Sequence, residues 1–374
     1  MSHPIRILNL FTNMNRGGAE TMVMNYYRSI DRDKVQFDFM VHRQHRGAYD
    51  DEIEALGGRI YRMCPIYPQY VFKYKRLLKE FFDQHPEYQI LHSHMSELGY
   101  FAFKEAIRHG VPVRICHAHS SPNFKIETWI EKLKVIPREI WARQMRQLST
   151  DFFVCSKKAG DWLFGIQNEN RFVMMNNAID AKKFSYDAAL SQQKKNEMGW
   201  NGKLVVGHVG RFIKAKNHPF LLKVFSAFHK RHPESILVLV GDGIEHEDIV
   251  RRIHMLGLDD CVHLLGFRTD TIELYNAFDV FCFPSLYEGL PVSLIEAQAS
   301  GLPCVVSDTI SDQASVLPNY VILSLNDEVD TWVHHLEEGL QFKRYDTIDE
   351  LKNAGFDIYE NAQWLANYYL NRLP

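Results

Sequence analysis

Strand-like and helix-like runs alternate along nearly all of this 374-residue chain. That pattern restricts it to an α/β architecture on parallel sheets, because parallel neighbours need a long crossover between them. The first half offers strands at Ile5–Phe11, Phe37–Val41, Ile90–Ser93, Val113–Ala118, Asp151–Val154 and Phe172–Met175. The second offers Leu204–Val209, Ile236–Val240, Val262–Leu265, Val280–Phe283, Cys304–Ser307 and Val321–Leu323. Between them, Tyr186–Gly202 is polar and rich in Lys, Gln and Asn, and is expected to be the linker. The expected organisation is two Rossmann-like domains, 1–190 and 191–357, and a last helix in 358–374 that packs through Trp364, Leu365, Tyr368 and Tyr369. Ligands of such sheets bind beyond the strand C-termini, so a cleft between the halves is the expected site.

The stretch FPSLYEGLPVSLIEAQASGLPCVVSD, Phe283 to Asp308, carries the most chemistry. An apolar strand ends in Pro284, a loop runs over Ser285–Leu290, and Pro291 has the chemistry of a first helical residue. Val292–Ala299 follows as helix, and Gly301 stops it. Free amides of Val292, Ser293 and Leu294, after the Leu290 turn, would face an anion such as a pyrophosphate. Glu288 precedes that site and Glu296 lies in the second turn. One carboxylate can meet a sugar and the other a ribose diol. Read alone, two acids decorating a helix start explain the pattern equally well.

The pair Glu288 and Glu296, seven residues apart, resembles the E-x(7)-E motif of the family 4 retaining glycosyltransferases of GT-B architecture, and the likeness runs over most of the chain. EGLPVSLIEAQASGLPCVVSD is similar to the bacterial capsular and exopolysaccharide branch. The resemblance implies that Glu288 contacts donor-sugar hydroxyls and that Glu296 holds the nucleotide ribose. It implies an acceptor-side first domain, a second domain that binds the nucleotide sugar, and a final helix that crosses back to the first domain. Pro291 departs from relatives that carry Gly there, and removes one phosphate donor.

Arg211 follows strand Leu204–Val209 and Gly210, and Lys216 comes five residues later. An Arg grips two phosphate oxygens and a Lys adds a point charge, which stabilises a departing diphosphate without a metal. The pair resembles the family's GR-x(4)-K. Gly17 and Gly18 follow the first strand and open a helix from Ala19. The spacing is not G-x-G-x-x-G, so nicotinamide binding is disfavoured. The family uses this loop near donor phosphate and acceptor; a tight turn is the plain alternative. Glu20 reads as a helix-start charge. Arg268 lies where relatives contact the nucleotide, and Phe267 and Arg268 could stack on or bond to the base. Asn177–Asp180 reads as structural.

Two His-x-His pairs, His92/His94 and His117/His119, sit at strand ends. Residues two apart share a strand face, so either pair could hold a metal. The resemblance instead places His119 near the reacting sugar carbon, where it could donate a hydrogen bond to the sugar or orient the acceptor. His94 is expected to face the cleft. His92 and His117 read as satisfied structural residues.

A net charge of −3 argues against general nucleic-acid binding. The six cysteines form no C-x-x-C pair and read as buried free thiols. The N-terminus enters a strand directly, no apolar run is long enough to span a membrane, and a cytoplasmic location is expected. Basic amphipathic stretches at Val71–Phe82 and Phe124–Gln147 suit either an anionic membrane face or packing on the core. The expected function is a retaining, metal-independent glycosyltransferase. It would take a nucleotide-diphosphate sugar, UDP-linked by analogy, and a glycan or lipid-linked acceptor, with no resident cofactor. The rivals are a metal-dependent hydrolase built on the His-x-His pairs and a non-catalytic sugar-nucleotide-binding protein.

Overall fold

Among the described residues, 3–119 and 129–373 of a computed structural model, one sheet has seven strands. These are β1 (Ile5–Phe11), β2 (Val35–Val41), β3 (Ile60–Arg62), β4 (Ile90–Ser93), β5 (Val113–Ala118), β6 (Asp151–Val154) and β7 (Phe172–Met174). Their order is β3-β2-β1-β4-β5-β6-β7, and each adjacent pair is parallel. β3 was not expected from sequence: it is a short, partly exposed edge strand. The second sheet has six strands: β8 (Leu204–Val209), β9 (Ser235–Val240), β10 (Val262–Leu264), β11 (Val280–Phe283), β12 (Cys304–Ser307) and β13 (Tyr320–Leu323). It runs β10-β9-β8-β11-β12-β13, again parallel. The continuous apolar runs match this burial: β2, β9, β11 and β12 are buried at every residue.

The chain folds as two units, Met1–Ala178 with Ile358–Pro374, and Ile179–Asp357. The polar stretch expected to be a linker instead holds the helix Ala188–Met198 and belongs to the second unit. Its polarity has a local cause. The Asp187 side chain caps the amides of Ala189 and Leu190. Lys194 pairs with Asp270 at 2.8 Å and Lys195 with Asp279 at 2.7 Å, which docks the helix through charges and not through an apolar stripe.

The final helix, Ile358–Arg372, belongs to the first unit. Ile358, Ala362, Leu365, Ala366 and Tyr369 repeat at helical spacing and enter the same core as Ile7, Phe37 and Phe153. Tyr368 donates to Asp151 Oδ1 at 2.5 Å and Arg372 to Asp151 Oδ2 at 2.9 Å.

In the helix Val71–Gln84 the apolar stripe of Tyr74, Leu78, Phe81 and Phe82 is core, as its packing reading required. Phe72 is left 85% exposed at its start, beside exposed Tyr67 and Tyr70. In the other basic stretch, Phe124 and the side chains of Trp129, Leu133 and Ile136 lie outside the described residues, and Ile140 is exposed. All six cysteines are buried free thiols. Among the described residues no helix is long and apolar enough to cross a membrane.

In both sheets the chain reverses direction of growth once, between β1 and β4 and between β8 and β11. Ligands of doubly wound sheets settle beyond the strand C-termini at such switch points.

Candidate functional site

The second unit's switch point gathers the two motifs read as a phosphate and sugar site. β8 ends at Val209, and Gly210 and the exposed Arg211 follow. A turn of 3-10 helix, Lys214–Lys216, then brings Lys216 back over the sheet. β11 ends at Phe283 and leads into the loop that carries Glu288. The two loops are stapled together. Leu286 N–H donates to Ala215 O at 2.7 Å, and Asn217 Nδ2 donates to Pro284 O at 3.1 Å. Ser307 and Thr309 hydroxyls both donate to Ser285 O at 2.6 Å and fix the loop from below.

This framework sets Lys216 Nζ 2.7 Å from Glu288 Oε1 and 4.3 Å from the centre of the Phe283 ring. The contact is a close ion pair, and no other donor reaches buried Glu288 Oε1 among the described residues, so its second lone pair is unfilled. Arg211 makes no ion pair among the described residues. One cation is therefore held and one is open, in a site where a carboxylate still wants a donor.

The helix Val292–Ala299 starts one residue later than Pro291 suggested: Pro291 is the N-cap, in extended conformation. Leu294 N–H, expected to be free, is taken by Pro291 O at 3.1 Å. That removes Leu294 from the three proposed amide donors and leaves Val292 and Ser293 as candidates. Leu290 and Val292 have buried side chains, so any part they play is through backbone. Glu296 accepts a hydrogen bond from Tyr275 Oη at 2.9 Å. Burial pushes its carboxyl up to about 7, against the pull of that hydrogen bond. Arg268 follows Gly266, which bridges to Gly241 at the end of β9. Its guanidinium grips both oxygens of Asp270 at 2.7 and 2.5 Å and is the main cause of that carboxyl's lowered pKa. The charge expected for a nucleotide is thus engaged by Asp270, while Phe267 is exposed.

Sequence reasoning missed three neighbours here. Tyr275 and Phe283 touch the two glutamates' machinery. Buried His208 donates through Nδ1 to Cys282 O at 2.9 Å and leaves Nε2 unpartnered beside the Lys216 loop. The signal for His208 was a lone polar residue inside an apolar strand.

At the first unit's switch point, Gly17 is the N-cap of helix Gly18–Ser29, which starts at Gly18, one residue before the expected Ala19. Glu20 folds back over Gly17 so closely that a Cβ there would meet Glu20 Oε2 at 2.3 Å, whereas beside Gly18 there is open space. The four histidines form a stack. His92 lies on His94 (ring centres 4.2 Å apart) and His117 on His119 (4.0 Å). His94 is sandwiched against Phe11 at 4.5 Å. His94 Nδ1 meets His119 Nε2 at 2.9 Å and His94 Nε2 meets Asn9 Oδ1 at 3.2 Å. His92 Nδ1 bonds Tyr369 Oη of the final helix at 2.7 Å. His117, expected to be satisfied, has neither nitrogen partnered, and His92 Nε2 is likewise unfilled. Burial drives all four imidazoles toward the neutral form, His119 down to about 3 and the others well below the usual value.

Ligand atoms of His92, His94 and His117 lie within 4.8 Å of one another. The rings, however, stack with planes only 26° (His92/His94) and 19° (His92/His117) apart. His94 and His117 are tilted by 45°, and both His94 nitrogens are already engaged, one by His119 and one by Asn9.

The fold and these loops have known counterparts. The family described as Glycosyl transferases group 1 matches residues 191–351, and Glycosyltransferase Family 4 matches residues 16–183. A Bacillus subtilis (strain 168) protein described as a glycosyltransferase, EpsF, is 36% identical across 97% of this chain and 96% of its own length. The capsular polysaccharide biosynthesis glycosyltransferase CapH of Staphylococcus aureus is 24% identical across 98% of this chain and 99% of its own. Among solved structures, Anabaena Alr3699/HepE in complex with UDP-glucose shares the fold, with a TM-score of 0.78 over 98% of this chain and 100% of that one at 18% identity. Matched along both halves and over nearly the full length of a relative, the chain belongs to the family 4 glycosyltransferases, of GT-B fold.

Proposed function

We propose that this glycosyltransferase moves a sugar from a UDP-linked donor to a hydroxyl of a glycan or lipid-linked acceptor in bacterial surface polysaccharide synthesis. The reading includes retention at the anomeric carbon and no metal. It rests on one observation above others: a cation pair, Arg211 and Lys216, shares a switch point with a carboxylate, Glu288, that has an unfilled acceptor position. Cations stabilise a departing diphosphate, and a carboxylate with room for a donor orients sugar hydroxyls. In the reaction the bond between the anomeric carbon and the diphosphate oxygen breaks. A bond to the acceptor oxygen forms on the same face, and the acceptor proton passes to a phosphate oxygen of the leaving group. Glu296 and the amides of Val292 and Ser293 then serve the nucleotide, and His119 and the Gly17-Gly18 turn serve the sugar and acceptor side.

The choice of UDP is supported by the HepE complex and by a 26% identical Escherichia coli relative named as a UDP-Gal:alpha-D-GlcNAc-diphosphoundecaprenol galactosyltransferase. CapH and EpsF support the polysaccharide context. An acceptor on a lipid carrier would suit a cytoplasmic protein that rests on the membrane through Tyr67, Tyr70 and Phe72, with Lys73 beside them.

A thermal-shift panel of UDP-, GDP- and ADP-sugars tests the donor. A ligand at a hundred times its dissociation constant adds about 2.7 kcal/mol of stability. Stabilisation by UDP-sugars alone is expected, and no shift with any of them sinks the reading. Transfer that persists in chelator, and a product with the donor's anomeric configuration by NMR, test the finer claims. The hydrolase alternative draws on the three close histidine nitrogens and predicts stoichiometric metal and donor cleavage without acceptor.

A further inference from the structure

The hydrogen bonds around the histidine stack fix where its protons sit. Asn9 lies in the middle of β1, and its Nδ2 faces two backbone carbonyls, Ile7 O at 3.3 Å and Asp38 O at 3.4 Å. The amide nitrogen must therefore point at those acceptors, and Oδ1 is the atom turned to His94. Oδ1 can only accept, so His94 Nε2 carries a proton. A neutral His94 then has a bare Nδ1, and that lone pair faces His119 Nε2 at 2.9 Å. His119 must donate there. In a neutral imidazole only one nitrogen is protonated, so His119 Nδ1 is left as an acceptor, and it has no partner among the described residues.

The rings cannot readily turn to escape this arrangement. His94 is clamped between Phe11 and His92, with its plane 9° from that of Phe11. His119 is stacked on His117. His92 is tied to the final helix through Tyr369. All of these groups lie in the first unit. Burial keeps the imidazoles neutral, which is the condition the chain of donors needs.

We propose that Asn9 and His94 are positioning residues that lock His119 in the Nε2–H tautomer, so that Nδ1 faces the ligand as a hydrogen-bond acceptor. The partner class follows. His119 takes a hydroxyl that donates to it, and it repels a phosphate or carbonyl oxygen, which has only lone pairs to offer. Of the two roles that sequence reasoning gave His119, donating to the sugar or orienting the acceptor, this replaces the first and is compatible with the second. The nature of the hydroxyl, on donor sugar or acceptor, rests on the glycosyl-transfer reading, but the tautomer does not.

The test is a nitrogen-15 spectrum of the ligand-free full chain labelled in histidine, with His119 assigned by its loss in His119→Phe. The expected spectrum has His119 Nε2 protonated and Nδ1 bare. A His119 with Nδ1 protonated, or an even mixture of tautomers, overturns the proposal whatever the variants do. Asn9→Leu removes the acceptor that starts the chain. A folded variant should show mixed tautomers at His94 and His119, and an unchanged spectrum also overturns the proposal. In turnover, Asn9→Leu should lower kcat by roughly tenfold or more with little change in KM for the sugar nucleotide. Asn9→Ser, which keeps a polar oxygen, should recover part of that loss. Correct tautomers with no transfer to any acceptor would instead count against the enzymatic reading and leave the hydrogen-bond assignment standing.

Discussion

Lys216 Nζ contacts Glu288 Oε1 at 2.7 Å, so the cation proposed for the diphosphate is paired with the carboxylate proposed for the sugar. On the proposed reading the two roles oppose each other until a donor separates the pair. Glu288→Gln should abolish most transfer, by roughly two orders of magnitude or about 3 kcal/mol, with an unchanged melting profile. The same change frees Lys216. Nucleoside diphosphate alone should bind as well as before or tighter, by about 1 kcal/mol or roughly fivefold, on calorimetry. A parallel loss of transfer and of diphosphate affinity would show that Glu288 acts on the nucleotide and not on the sugar.

Glu296 gives the site a pH dependence. Its carboxyl titrates near 7 in the fold against an ordinary value of 4.5. Between those values an unfolded chain loses this proton first, so folding becomes less favourable as pH rises from about 4.5 to about 7 and is level above that. The slope is at most about 1.4 kcal/mol per pH unit. The proposed ribose role needs the ionised form, so nucleotide affinity should rise over the same range. Glu296→Gln should flatten both curves, as read by melting and by calorimetry at pH 5.5 and 8. Unchanged curves would remove Glu296 from the ribose site.

Gly241 supports Arg211 from beneath. Its φ is +135°, and a Cβ there would lie 2.1 Å from Gly210 O, one residue before Arg211. Gly241→Ala must shift the Gly210–Arg211 backbone at a cost of roughly 3 kcal/mol or more. A lowered melting temperature and a raised KM for the sugar nucleotide are expected. A variant with wild-type KM would mean that Arg211 does not contact the diphosphate.

Exposed Tyr67, Tyr70 and Phe72, with exposed Lys73, form an aromatic knuckle at the start of the basic helix. Phe72→Glu should weaken partition onto phosphatidylglycerol vesicles by about 30-fold, the roughly 2 kcal/mol of one buried phenyl ring. Transfer to a water-soluble acceptor should be unaffected. Equal partition of both proteins would rule this face out as a membrane contact.

Much of this was legible before any coordinates. Twelve of the strands announce themselves as apolar runs bounded by turn residues, since a parallel sheet buries both faces. Arg211, Lys216, Glu288 and Glu296 carry chemistry at fixed spacing. What escaped the sequence depends on partners distant along the chain. Tyr275 matters only because Glu296 ends beside it, and Asn9 only because β4 brings His94 next to β1. The linker was misread for a related reason: Lys194 and Lys195 look solvated until Asp270 and Asp279 are seen to meet them. Pro291 could occupy the N-cap or the first helical position equally well, and only the Leu294 amide bond decides between them.

The return of Ile358–Arg372 to the first unit separates distance along the gene from distance in the molecule. A premature stop after Asp357 would leave the sheet β8–β13 its whole sequence. It would strip the first sheet of the residues that cover Ile7 and Phe37 and deprive His92 of its hydroxyl partner, Tyr369. Stop codons between Asp357 and Arg372 should therefore behave as lesions of the unit that holds β1–β7.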